Sequence, residues 1–264
     1  MSFLDQICVL ILAFDEEPNI ARTLDALGAF PRVLVLDSGS TDATRTIAAR
    51  YPNVRVAVRP FDAHAAQWNH GVSGCGVAEP WILALDADYR LAPALVAEIA
   101  ALAPPEDVAG YRAAFRYCIG GQPLSGTLYP AQTVLFRRAR GRYVQEGHTQ
   151  RLVLESGETR ALSAPIFHDD RKPLGRWIAS QRRYAALEAE FLMAAPRRGL
   201  VGRLRLLGWP APILVFVYTL VVKRCCLDGW PGWIYVLQRT LAEIMIALEI
   251  LDRRRTGAAS GPCP

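Results

Sequence analysis

The chain of 264 residues predicts an α/β domain with a mainly parallel, mixed sheet flanked by helices, followed by a helical, membrane-associated appendage. Three observations carry this. Short continuous apolar runs alternate with helical patterns through the first hundred residues, the rhythm of β-α-β units. Three of those runs end in acidic side chains. Charge is partitioned as well: residues 1–170 hold 15 Arg and Lys against 19 Asp and Glu, whereas residues 171–264 hold 15 against 6. We therefore divide the chain into a sheet region, 1–170, and a basic, apolar helical region, 171–264.

Ile7–Phe14, Val33–Asp37, Val54–Val58 and Trp81–Asp86 read as buried strands, each continuous rather than alternating, as both-sided burial requires. Helical patterns fall between and after them at Asn19–Leu27, Asp42–Ala49, Ala63–Gly71 and Pro93–Ala103. Pro18 and Pro93 suit a first helical turn, and Ser40 or Thr41 can cap a helix. From Ala109 to Phe167 the pattern changes to strand-like pieces broken by glycines, predicting hairpins and loops that complete the sheet. Leu174–Ala194 reads as a long helix.

The helical region contains four of the six Trp and the longest apolar run, Leu206–Val222. Pro210 and Pro212 interrupt its start, and Ile213–Val222 is too short for a transmembrane helix, so an interfacial or re-entrant segment is expected. Ile234–Leu251 predicts a second apolar helix, followed by Arg253, Arg254 and Arg255. Basic, aromatic and apolar residues together suit an anionic lipid surface rather than nucleic acid. The alternatives are a helical hairpin packed on protein or an oligomer formed through these helices.

At 52% hydrophobic and 21% charged residues, a full-sized core is expected and disorder is excluded. The six cysteines show no metal-ligand spacing, so reduced thiols are expected. The first residues lack a basic, apolar leader pattern, and no translocation is expected. A glycine-rich dinucleotide turn after a strand is absent, which disfavours an oxidoreductase.

In parallel sheets ligands bind outside the carboxyl ends of the strands. There the sequence places Asp15, Glu16 and Glu17 after the first run, Asp37 ending the second, and Asp86 and Asp88 at the fourth. Converging carboxylates repel unless a cation or hydrogen-bond donors fill the space between them. Asp86-Ala-Asp88 directly after a strand can offer one carboxylate to a ribose and another to a divalent ion gripping a diphosphate. The turn Asp37-Ser38-Gly-Ser-Thr-Asp42 suits a nucleobase N–H and its ribose, with helix capping as the alternative for Asp42.

Ala13-Phe-Asp-Glu-Glu-Pro-Asn19-Ile, Val35-Leu-Asp37-Ser-Gly-Ser-Thr-Asp42, Asn69-His-Gly71 and Leu85-Asp86-Ala-Asp88, in this order, resemble the family 2 glycosyltransferases of the GT-A fold. The resemblance implies a GT-A-like nucleotide-sugar-binding catalytic domain. By it, Asp15, Glu17, Asp37 and Ser38 would line the nucleoside pocket, with Asp15 standing where many relatives have Asn. Asp86 would lie by the ribose and diphosphate, and Asp88, with Asp86, would hold Mg²⁺ or Mn²⁺.

Gln145-Glu146-Gly-His148-Thr-Gln-Arg151 and Ile166-Phe-His168-Asp-Asp-Arg171-Lys172 are similar to bacterial lipopolysaccharide-core β-glucosyltransferases of that family. This implies Glu146 as the general base of an inverting transfer, with His148 as the competing base. His168 would complete the metal shell, or else bond to backbone. Arg171 and Lys172 would neutralise the departing diphosphate, or else stand in solvent. The expected activity is sugar transfer from a nucleotide-diphosphate sugar to a lipid-linked or cell-surface glycan acceptor, at the cytoplasmic face of a membrane. The rivals are a polyprenyl-phosphate sugar synthase and a catalytically silent scaffold.

Overall fold

A computed structural model of the chain describes residues 2–146, 149–194 and 199–259. It resolves into two compact units, Met1–Pro123 with Tyr129–Lys172, and Leu124–Leu128 with Pro173–Pro264.

In the first unit, β1 (Ile7–Ala13), α1 (Ile20–Asp25), β2 (Val33–Asp37), α2 (Thr44–Ala48), β3 (Val54–Val58), α3 (His64–Asn69) and β4 (Trp81–Asp86) alternate as the apolar rhythm predicts. Then come β5 (Tyr89–Leu91), α4 (Pro93–Ala100), β6 (Val108–Ala113), β7 (Phe115–Ile119), β8 (Gln122–Pro123) and β9 (Gln132–Arg137). The unit closes with β10 (Gly141–Glu146), β11 (Thr149–Leu154), β12 (Glu158–Ala161) and β13 (Ile166–His168).

The expectation of one GT-A-like sheet is corrected by the strand pairing. The strands form three separate sheets: seven strands in the order β12-β6-β9-β4-β1-β2-β3, four in the order β5-β13-β7-β8, and the β10-β11 pair. The reason is local. The chain turns at Ala87 and Asp88, so β5 leaves the ladder of β4 and pairs with β13 instead. Gly120 and Gly121, both at positive φ, fold β7 back on β8. These segments satisfy their backbone groups among themselves rather than by extending the large sheet.

Within that sheet β1 to β4 are mutually parallel, with Ala13 opposite Asp37 and Leu12 opposite Asp86. β9 runs antiparallel to both β4 and β6. β1 and β2 are buried on both faces, as their unbroken apolar sequence requires, and Phe3, Ile7, Trp81 and Leu95 fill one side of the core. β3, expected to be buried, is only half-buried because it is the edge strand, and its Val58 is exposed.

The second unit is helical: α5 (Leu174–Ala194), α6 (Leu200–Leu207), α7 (Pro210–Val217) and α8 (Gly229–Ala259). A π-helical turn, Tyr218–Val222, continues α7. Ala189 and Leu192 of α5 pack with Ile250 of α8. Arg205 of α6 turns inward, where Glu188 lies 3.1 Å and Glu243 2.9 Å from its guanidinium. Among the described residues no single helix is long and apolar enough to cross a membrane, while Leu200–Leu207 and Pro210–Val222 form a pair bent by 120° that is. The five described cysteines are free.

Candidate active site

The parallel register brings the acidic ends of β1, β2 and β4 to one sheet edge. After β1 the chain must reverse abruptly, and Asp15 adopts a left-handed conformation, φ 51°. Asn and Asp are the non-glycine residues that accept this best. The first two βα turns are then laced together. Ser40 Oγ accepts from Asp15 N at 2.8 Å, Asp15 Oδ1 accepts from Thr41 N at 2.7 Å, and Thr44 Oγ1 accepts from Glu16 N at 2.7 Å. Glu17 Oε2 accepts from Ala43 N at 3.2 Å, and Asp42 accepts from Glu17 N at 3.1 Å.

Asp37 is fully buried, and its carboxylate folds its own turn by accepting from Gly39 N at 3.0 Å and Ser40 N at 2.8 Å and from the Ser40 hydroxyl. Ser38 Oγ accepts from Gln67 Nε2 at 3.0 Å. Asp42 Oδ1 accepts from Thr44 N at 3.0 Å, the capping alternative at the start of α2. Asn69 pins β10 through Tyr143 N and O at 2.8 and 2.9 Å, and a Cβ on Gly71 would meet Leu10 at 2.6 Å. That Asn-His-Gly motif is therefore a packing device here.

Asp86 and Asp88 are followed by β5, whose Tyr89 stands opposite His168 of β13. This pairing sets His168 Nε2 3.2 Å from Asp88 Oδ2. His168 thus faces a carboxylate, not backbone. Its ring is held edge-on by Tyr117, Tyr129 and Tyr89, with centroids 4.7, 5.1 and 5.2 Å away. Asp88 Oδ1 and His168 Nδ1 are both buried without a hydrogen-bond partner.

Burial first, and the adjacent Asp88 second, raise the pKa of Asp86. Burial acts the same way on Asp88 but is outweighed by His168, whose proximity holds it below the ordinary value. Burial pulls His168 down and Asp88 more than offsets this, so the imidazole is pushed upward. Among the described residues no three His, Cys, Asp or Glu side chains form a ready metal cluster. Asp88 Oδ2 and His168 Nε2, 3.2 Å apart, are a carboxylate oxygen and an imidazole nitrogen of the kind that would suit a divalent ion.

The basic pair behind β13 is already engaged. Lys172 Nζ lies 2.7 Å from Glu16 Oε1, both largely buried. Arg171 bonds Asp169 at 2.8 and 3.0 Å. Asp169 also takes Arg22 at 2.6 Å, and Asn19 accepts from Arg171 N at 2.9 Å while donating to Asp170 and Glu16. Glu16, which sequence reasoning left without a role, is raised by burial first and by Asp88 second. Its place in the acidic triplet was the available signal; its partner lies 156 positions along the chain. Glu146 is the last residue of β10; its side chain and the whole of His148 lie outside the described residues.

Residues 8–151 match the family described as glycosyl transferase family 2. The chain belongs to that family. At this level its activity is transfer of a sugar from a nucleotide sugar to a glycan or lipid acceptor. This family 2 enzyme is 26% identical to the lipopolysaccharide core biosynthesis glycosyltransferase LpsC of Rhizobium meliloti (strain 1021), over 92% of its own length and 91% of the relative's. Over 99 residues, 36% of this chain and 44% of the relative, it is 33% identical to the uncharacterized glycosyltransferase Rv0539 of Mycobacterium tuberculosis.

Among solved structures, residues 1–349 of S. aureus TarS in complex with UDP-GlcNAc align with a TM-score of 0.51, 15% identity and coverage of 95% and 92%. Glucosyl-3-phosphoglycerate synthase of Mycobacterium tuberculosis with phosphoglyceric acid gives 0.50, 17%, and 74% and 81%. At these identities the likeness is one of fold. It goes with the two-unit, three-sheet arrangement rather than with the single GT-A-like sheet expected from sequence.

Proposed function

We propose that this enzyme is an inverting, divalent-metal-dependent hexosyltransferase acting on a lipid-linked or cell-surface glycan at the cytoplasmic face of a membrane. The observation that carries the reading is the Asp88–His168 pair, Oδ2 to Nε2 at 3.2 Å, at the acidic edge where the parallel strands end.

In this reading Asp88 and His168 would hold Mg²⁺ or Mn²⁺, with Asp86 beside the ribose and diphosphate. The ion supplies charge stabilisation to the leaving diphosphate. Asp15, Glu17, Asp37 and Ser38 shape the nucleoside end of the site, Asp37 and Asp15 by holding the two laced turns. Arg171 and Lys172 approach the diphosphate by exchanging part of their pairing with Asp169 and Glu16. Glu146 takes the proton of the acceptor hydroxyl during attack on the anomeric carbon, and His148 is the alternative base. TarS was solved with UDP-GlcNAc, and LpsC is named for lipopolysaccharide core synthesis; both support a nucleotide-sugar donor and a surface-glycan acceptor.

The test is release of nucleoside diphosphate from a panel of nucleotide sugars with Mn²⁺, with and without membrane extract, and the anomeric configuration of the product by NMR. Inversion, and a loss of about 10²-fold or more in kcat for Glu146→Gln, are expected. A retained anomer rejects the mechanism. Full turnover by Glu146→Gln moves the assignment to transfer onto a phosphate acceptor, and no donor turnover at all favours the silent scaffold.

A further inference from the structure

The continuous helix formed by α7 and its π-helical turn is inside out for a protein in water. Its inward stripe is Ala211, Val215 and Thr219, the last fully buried with its hydroxyl bonded back to Val215 O at 2.7 Å. Its outward stripe, recurring every four residues, is Ile213 with Leu214, Val217 with Tyr218, and Val221 with Val222, all exposed. Helical periodicity normally turns such residues inward. Trp209 and Trp230, 72% and 59% exposed, flank the stripe in sequence at its two ends.

Charge around this stripe has one sign. Residues 200–224 contain no Asp or Glu. Their four cations divide by role: Arg205 is turned inward onto Glu188 and Glu243, whereas Arg203 and Arg224 are exposed and Lys223 lies against the Tyr218 ring at 5.6 Å. Just beyond, Asp228 is occupied by Ser125, whose N and Oγ it accepts at 2.9 and 2.5 Å.

We propose that the outward stripe of α7 seats in the headgroup region of a lipid leaflet containing anionic lipids, as a monotopic anchor with Lys223 and Arg224 at the phosphates. An apolar face followed directly by cations, with exposed tryptophans flanking it in sequence, is complementary to that environment. A second copy is a poorer occupant, because a two-fold contact through the stripe would bring Lys223 and Arg224 of both chains together without a counter-charge. The inference rests on the reading that the acceptor is lipid-linked, and it names the surface that meets the lipid.

The experiment is flotation of the full chain with phosphatidylcholine vesicles, with and without phosphatidylglycerol, together with quenching of tryptophan fluorescence by brominated phosphatidylcholine in the mixed vesicles. Strong flotation only with phosphatidylglycerol, and quenching there, are expected. The double variant Lys223→Gln, Arg224→Asn should lower partitioning into the mixed vesicles about thirtyfold. Asparagine is chosen because residue 224 has φ 58°. Ile213→Asp with Val221→Asp should abolish flotation, while melting temperature and nucleoside diphosphate binding with Mn²⁺ report that the variant is folded. Equal flotation with both vesicle types, or wild-type protein that is not quenched, overturns the proposal. So does a concentration-dependent dimer without flotation, dispersed by the aspartates, which would assign the stripe to a second copy. Donor turnover in the presence of membrane extract is read separately: its absence with flotation intact removes the catalytic reading and leaves the anchor standing.

Discussion

His168 Nε2 lies 3.2 Å from Asp88 Oδ2, although eighty positions of chain separate them. The contact exists because β5 and β13 pair antiparallel with His168 opposite Tyr89, one residue after Asp88. Strand register, rather than sequence proximity, thereby puts a nitrogen and a carboxylate on one side of the acidic edge.

Replacement of either partner should weaken cation binding first. Asp88→Asn or His168→Phe is expected to lower Mn²⁺ affinity, measured by calorimetry in the presence of nucleoside diphosphate, by more than about tenfold. Unchanged Mn²⁺ affinity in both variants would exclude this pair as ligands.

Lys172 and Glu16 form a largely buried ion pair, so removing one charge strands the other. Lys172→Met should cost about 3 kcal/mol in denaturant unfolding, because Glu16 is left desolvated near Asp88. Adding Glu16→Gln should return most of that stability without restoring sugar transfer. A single variant as stable as wild type would show that the pair carries no structural charge balance.

Gly121 has φ 87°, and a Cβ there would run into the Arg171 guanidinium. Gly121→Ala therefore meets backbone strain together with displacement of Arg171 from Asp169. A loss of about 1–2 kcal/mol is expected, as a fall in thermal midpoint. An unchanged midpoint would mean that the β7–β8 turn relaxes freely.

Glu98 accepts from Ser163 N at 2.7 Å and Ala164 N at 3.0 Å. Burial pulls its pKa up, but these bonds outweigh burial and hold it below the unfolded value of 4.5. Its contribution is therefore complete above 4.5 and disappears as pH falls through the folded value. Wild type should exceed Glu98→Gln by about 1 kcal/mol at pH 7, and the two melting curves should converge toward pH 3. A gap that stays constant across this range would rule out the carboxylate as its source.

The positions of β1, β2 and β4 were legible because residues such as Val9, Val35 and Leu83 are buried with both neighbours, leaving no polar alternation to confuse the pattern. Their acidic ends followed directly. The separate sheets were not legible: pairing of Ile166 with Leu91 and Phe115 is a long-range choice that three-residue strands do not announce. The tyrosine cage around His168 depends on that same choice. Arg171 illustrates the limit for charges, since its sequence fits an anion-binding role while its nearest partner is Asp169, two residues before it. A basic residue's type reports what it can bind, and only the fold reports what it meets first.

The reversed course of β9 has a consequence for how such an enzyme can be diversified. Because β9 runs against β4, the segment entering it emerges at the mouth of the parallel strands and delivers Tyr129 beside His168. Lengthening or reshaping residues 129–131 would therefore change what stands beside His168 while leaving the β4–β9 pairing in register.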